Sequence, residues 1–190
     1  MRSLALRFAL LVLLGTLWSG CGDALSLLPA QFENRVDSAV TLFAASNTPV
    51  TLPSAYVIAS RSAVRLDQVS TFDFVYNVAP TGERFFIPLG ALINTGSSVG
   101  LPGFRLATLP FFAIPIAEQQ GYVTRDSISI YPGQVLYVRS SVDGSCSLGI
   151  PYYAKLMVLG FSDVERSVSF QILSNINCGY RGLQPGIPTK

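Results

Sequence analysis

The chain of 190 residues is 49% hydrophobic and only 13% charged, which excludes a disordered or fibrous protein. Its length suits one domain with a substantial buried core. The sequence contains no histidine, so it lacks the commonest general base and metal ligand, and no Ser-His-Asp or Cys-His arrangement can form. We therefore expect no cofactor, and we favour a binding or structural role over catalysis.

The first 20 residues have the organisation of a secretory signal peptide. Arg2 and Arg7 precede an uncharged apolar run, 8–18, which is too short to span a bilayer and is followed by two small residues. Removal of this segment takes two of the 13 basic residues and leaves 11, equal to the 11 acidic residues. The remaining basic residues are spread along the chain, which supports neither nucleic-acid binding nor attraction to anionic lipid headgroups.

The junction Trp18-Ser19-Gly20-Cys21 resembles the lipobox of bacterial lipoproteins, in which small residues precede a cysteine. The resemblance implies that Cys21 is diacylated, becomes the mature N-terminus and anchors an exported protein to the membrane of the cell envelope. Residues 21–32 would then form the lipid-attached lead-in to the domain. The alternative is ordinary cleavage after Ala24, which would give a secreted or periplasmic soluble protein.

The rest of the chain consists of short segments with the composition of β-strands. Phe72 to Val78 alternates apolar and polar positions with the period of a sheet. Pro110 and Pro115 exclude a continuous helix over 104–117 and indicate an irregular or edge strand pair. Further strand segments lie at 40–43, 56–58, 64–66, 84–87, 90–93, 122–130, 135–140, 153–161 and 167–174.

Turn signals separate these segments at intervals of roughly 8–12 residues, without any segment of helical period, which predicts an all-β fold. We expect one antiparallel β-sandwich domain of about nine strands over 33–178, with a partly open β-barrel as the alternative. The turn at 131–134 should join its two flanking strands as a hairpin. An irregular C-terminal tail, 179–190, should follow the sandwich.

Cys146 and Cys178 are the two remaining cysteines, an even number that suits an oxidising compartment. They lie just beyond the open ends of the last predicted hairpin, 153–174, and we therefore expect a disulfide between them. Buried free thiols are the alternative, and a zinc site is disfavoured because the chain has no histidine. The stretch 177–181 is also similar to the closing segment of uncharacterised exported bacterial β-sandwich proteins, which implies no function.

Carboxylates are the main remaining route to acid–base catalysis. Most of them lie in turns or opposite apolar positions on alternating strands, where solvated surface charge is expected. Lys155 lies inside a strand, and no serine stands at a recognisable spacing from it. We predict no catalytic, cofactor-binding or metal-binding residue; the alternative is a secreted hydrolase, such as a glycosidase, with two facing carboxylates. The carboxylate candidates are Glu33, Asp37, Asp67, Asp73, Glu83, Glu118, Asp126, Asp143, Asp163 and Glu165.

Adjacent aromatic residues are the candidate binding feature, because successive side chains of an extended strand point to opposite faces. Phe111 and Phe112 lie between two prolines and are the pair most suited to a partner-binding edge, although coverage by loops or the tail is the favoured reading for such rings. These observations predict a noncatalytic exported cell-envelope protein, a membrane-anchored lipoprotein with a binding, adhesion or assembly role. An envelope protein or a glycan would be its partner.

Overall fold

The computed structural model describes residues 27–93 and 99–189, so the predictions for the signal peptide and for Cys21 lie outside the described residues. The described chain forms two antiparallel five-stranded sheets that do not close into a barrel, which confirms the all-β sandwich. The strands are β1 (Val36–Phe43), β2 (Ala55–Val57), β3 (Ser62–Val64), β4 (Phe74–Val78), β5 (Arg84–Pro88), β6 (Gly103–Leu106), β7 (Ile128–Ser129), β8 (Val135–Arg139), β9 (Tyr153–Ser162) and β10 (Ser167–Asn175). Sheet one has the order β1-β10-β9-β8-β6, and sheet two has the order β3-β2-β4-β5-β7.

Aromatic side chains fill the core between the two sheets. Phe74 and Phe86 of sheet two meet Phe104 of sheet one, and the ring centre of Phe74 lies 5.1 Å from that of each of the other two. Tyr56 and Phe170 join the same fully buried cluster. Edge-to-face pairs of this kind contribute about 0.5–1.5 kcal/mol each beyond the burial of their apolar area. Phe74, which belongs to the predicted strand 72–78, therefore lies at the centre of the core.

The other face of sheet one is covered by two irregular segments, 107–117 and 179–189, which we call the outer cover. Its hydrogen bonds join Leu183 N–H to the Pro115 oxygen at 2.9 Å and Ala117 N–H to the Arg181 oxygen at 2.8 Å. The predicted irregular tail is thus docked on sheet one rather than trailing from it. A second apolar cluster under the outer cover contains Phe111, Ile114, Ala117, Val135, Tyr137, Tyr153, Leu173 and Leu183.

The predicted turn at 131–134 is present, but the hairpin predicted around it is wrong. Gln134 N–H donates to the Tyr131 oxygen at 3.1 Å, and Gly133 has a φ of 82°, a conformation that glycine adopts readily. The turn leads from β7, which pairs with β5 in sheet two, to β8, which pairs with β6 and β9 in sheet one. A Pro-Gly turn fixes the local reversal of the chain, not the sheet that each flanking strand joins.

Three other segments differ from the predicted strands. Of the predicted strand 122–130, only Ile128–Ser129 forms a strand. Residues 90–93 contribute to a short helix, α1 (Leu89–Leu92), instead of a strand. A Cβ atom at Gly90 would lie 2.4 Å from the Thr124 oxygen, so a glycine is needed where this helix meets the neighbouring backbone. In the region 104–117, β6 accounts for the first residues and a 3-10 turn occupies Phe111–Ala113.

Candidate functional site

Cys146 and Cys178 form the predicted disulfide, with Cα atoms 5.1 Å apart. Cys146 lies in the loop before β9, and Cys178 follows β10. The bridge therefore closes the open end of the β9–β10 hairpin, as the sequence predicts. Cys146 also belongs to the buried core between the sheets, so the bridge is anchored in packed structure.

Asn177 fastens the N-terminal lead-in to this end of the sandwich. Its Oδ1 accepts hydrogen bonds from the N–H groups of Gln31 and Phe32, both at 2.8 Å, and its Nδ2 donates to the Phe32 oxygen at 2.7 Å. One buried side chain thus satisfies three backbone groups of a segment that has no strand partner there. A pocket of about 200 Å³ opens between the lead-in and the disulfide. No sequence motif predicts this role of Asn177.

The structure separates the two predicted partner-binding aromatics. Phe111 is 1% exposed and packs in the cluster under the outer cover, whereas Phe112 is 70% exposed. The backbone here forms a 3-10 turn, and one ring is directed inwards and the other outwards, as in the predicted strand. This corrects the expectation that Phe111 contacts a partner, because its ring is buried under the outer cover. Phe112 alone stays a candidate.

A groove of about 310 Å³ lies close to Phe112, between the two segments of the outer cover. Gln184 lines the groove and donates from Nε2 to the Phe112 oxygen at 3.5 Å and to the Ile114 oxygen at 2.7 Å. The other lining residues are Pro115, Ile116, Gly182, Pro185, Ile187, Pro188 and Thr189. The groove is therefore uncharged and rich in proline.

Lys155 is buried beneath the outer cover, which the sequence did not indicate. Its side chain is 1% exposed, its Nζ donates to the Ile114 oxygen at 3.1 Å, and the ammonium lies 4.9 Å from the ring centre of Phe111. None of the ion pairs in the described part of the chain includes it. Burial lowers the pKa of this amine to about 8, because the site disfavours the charged form.

Asp73 is also buried, which corrects the expectation that it is a solvated surface charge. Its Oδ2 accepts from Ile58 N–H at 2.7 Å and its Oδ1 from Ser141 N–H at 2.6 Å. The carboxylate thereby joins the end of β2 in sheet two to the chain that follows β8 in sheet one. Burial raises the pKa of Asp73 to about 6, against the opposing effect of the two N–H donors. The adjoining recess, which Asp143 also lines, measures about 20 Å³, room for about one water molecule.

Comparison of the chain with models of protein families, with curated proteins and with solved structures found no significant match. No helix within 27–93 or 99–189 is both long and apolar enough to cross a membrane. The same two ranges contain no group of three or more histidine, cysteine or acidic side chains placed to hold a metal ion. The functional conclusions below therefore rest on the residues themselves.

Proposed function

We propose that this protein is a noncatalytic lipoprotein of a bacterial cell envelope, anchored by acyl chains on Cys21, with a binding, adhesion or assembly role. The observation that carries the proposal is the pairing of the cysteines. The chain has three, and the disulfide uses Cys146 and Cys178. Cys21 therefore has no cysteine left to pair with in its own chain, and it stands where the lipobox-like junction expects a modified thiol.

The environment of Asp73 supports the noncatalytic part of this proposal. Both carboxylate oxygens accept backbone N–H groups, from Ile58 and Ser141, and the recess beside them is too small for a sugar or an ester substrate. Such a carboxylate holds two sheets together. A hydrolase with two facing carboxylates would need a cleft of several ångströms between them.

Phe112 is the residue we propose for contact with an envelope protein or glycan. Its ring is exposed while its backbone is tied to Gln184 of the docked tail, so the ring projects from a fixed support. An aromatic side chain has few rotatable bonds, so it loses little conformational freedom on binding while it buries a large apolar area.

Two substitutions test the anchor against its alternative. In the native host, Cys21→Ser should prevent acylation and leave the protein unprocessed or in the soluble fraction, because thiol modification is required for the lipoprotein route. Ala24→Leu is the matched control, since it blocks ordinary cleavage after residue 24 and leaves the lipobox-like junction intact. Intact mass and detergent partitioning would report both variants. The proposal would be overturned if Cys21→Ser is processed normally and Ala24→Leu is not processed.

A second measurement addresses catalysis. Purified protein should show no turnover on a panel of polysaccharides and esters. Turnover that is lost on substitution of one aspartate or glutamate other than Asp73, whose carboxylate holds the two sheets together, would establish a hydrolase instead.

A further inference from the structure

The end of the sandwich that carries the disulfide exposes several large apolar side chains. Leu28 is 81% exposed, and Leu27, Phe32 and Leu148 are also exposed. We call these four residues the apolar end. Isolated exposed leucines are common on protein surfaces, but a group of them around one feature indicates an interaction surface.

The members of the apolar end come from two distant parts of the chain and meet at Gly179. A Cβ atom at Gly179 would lie 2.3 Å from Cδ2 of Leu27 and 3.2 Å from Cδ1 of Leu148, so the two leucines approach each other over this glycine. Leu28 is held close by, because its oxygen accepts the Tyr180 hydroxyl at 3.1 Å. The apolar end is therefore one patch.

The backbone that carries the patch is also held in place. The hydrogen bonds of Asn177 hold the backbone of Phe32, and the disulfide at Cys178 holds the chain beside it. Exposure of these side chains is thus a property of the folded domain, not the result of a loose terminus.

No charged residue lies in the three stretches that build this end, 27–32, 144–151 and 176–180. The flanking residues Glu33, Asp143 and Arg181 carry charges of both signs, so this end offers no concentrated basic patch to anionic headgroups. Uncharged stretches with exposed leucine and phenylalanine side chains are suited to an apolar medium, for which the acyl region of a lipid bilayer is the simplest candidate.

The short segment between Cys21 and Leu27 favours the lipid bilayer as the surface that contacts the apolar end. Six residue steps separate Cys21 from Leu27, and a fully extended chain covers at most about 3.6 Å per step, so an acylated Cys21 keeps the patch within about 20 Å of the membrane surface. Tethering at this distance gives the patch a high effective concentration of lipid compared with any diffusing protein.

We propose that the apolar end lies on the lipid bilayer around the anchor, in the interfacial region between headgroups and acyl chains. This inference rests on the proposed acylation of Cys21. The protein would then stand with the disulfide towards the membrane and with the β9–β10 turn, which contains Val164, away from it. The nine residues of β10 separate the two ends by roughly 30 Å at the usual rise per residue.

Tryptophan fluorescence can test this orientation, because Trp18 is the single tryptophan of the sequence and is lost with the signal peptide. Leu28→Trp would place a reporter in the apolar end, and Val164→Trp is the matched control at a side chain that is 97% exposed in the distant turn. Each acylated variant would be purified from membranes of its host and reconstituted in phosphatidylcholine vesicles with and without brominated acyl chains. We expect a blue-shifted emission and strong bromine quenching for Leu28→Trp, and neither effect for Val164→Trp.

The outcomes separate this inference from the proposed function. If both variants float with the vesicles and carry acyl chains, but Leu28→Trp is quenched no more than Val164→Trp, the anchor is retained and the docking is refuted. A blue shift without bromine quenching, with cross-linking between copies, would assign the patch to a second copy of the chain and also refute it. Absence of acyl mass and of flotation would reject the anchor itself. Leu148→Trp gives a second reporter from the other part of the patch, and we expect the same blue shift and quenching for it.

Discussion

Replacement of Lys155 by methionine is expected to stabilise the fold, although it removes a hydrogen bond. The lysine side chain is 1% exposed, and burial lowers its pKa from 10.5 to about 8. One pKa unit corresponds to about 1.4 kcal/mol, so keeping the charged amine in this site at pH 7 costs on the order of 3 kcal/mol. Methionine has a similar length and carries no charge, and it removes this cost.

Two favourable contacts of the ammonium reduce the expected gain. The cation–π contact with Phe111 contributes up to about 2 kcal/mol when it is desolvated. The hydrogen bond to the Ile114 oxygen is also lost, but that oxygen keeps its hydrogen bond from Gln184 Nε2 at 2.7 Å. No buried acceptor is therefore left without a donor, and the net stabilisation should be about 1–2 kcal/mol.

Urea unfolding of wild type and Lys155→Met at several pH values would measure this effect. Because the pKa of the amine is lower in the folded state, the unfolded state binds more protons between about pH 8 and pH 10.5, and the contribution of Lys155 to stability rises with pH in that window. The advantage of Lys155→Met should therefore shrink as the pH rises. Lys155→Ala is the control, since it removes the same charge but leaves a cavity that costs about 2–5 kcal/mol. A methionine variant as unstable as the alanine variant, or an advantage independent of pH, would refute the reasoning.

Two further predictions concern the disulfide and the buried carboxylate. Loss of the bridge in a Cys146→Ala/Cys178→Ala double variant frees a loop of sequence separation 32 and should lower the free energy of unfolding by roughly 3–4 kcal/mol in the chain-entropy treatment; equal urea midpoints for variant and wild type would contradict it. The raised pKa of Asp73, about 6 against an ordinary 3.8, means that its contribution to stability falls as the pH rises from about 4 to about 6, since the folded state binds more protons there. Asp73→Asn should abolish this part of the pH dependence in urea titrations, and an unchanged profile would show that the group does not titrate as described.

The fold class could be predicted because local signals determine it. Alternation in Phe72 to Val78 and the turns between short apolar segments are properties of neighbouring residues, and so is the β9–β10 hairpin, whose strands pair directly across their turn. The partners of β7 and β8 could not be predicted, because the turn at 131–134 is compatible with a hairpin and with a connection between sheets. Long-range packing makes that choice.

In the candidate site, the disulfide could be predicted from the sequence, whereas the burial of charged side chains could not. The positions of Cys146 and Cys178 at the ends of a recognisable hairpin carried enough information to pair them. Asp73 and Lys155 gave no such signal, because a single charge in an apolar strand has the same local pattern whether its face is open or covered. The outer cover, built from segments 107–117 and 179–189 far apart in sequence, decides that Lys155 is buried.

Side chains supplement backbone hydrogen bonds where this sandwich carries irregular chain. Asn177 satisfies the lead-in, Gln184 and Lys155 both donate to the Ile114 oxygen in the outer cover, and Asp73 accepts from residues that follow a strand of each sheet. Because buried backbone groups must find partners, these contacts hold in place segments that resemble loops in sequence. Phe112 and Leu28 therefore project from fixed backbone, and a partner or a membrane that contacts them has little chain to order on binding.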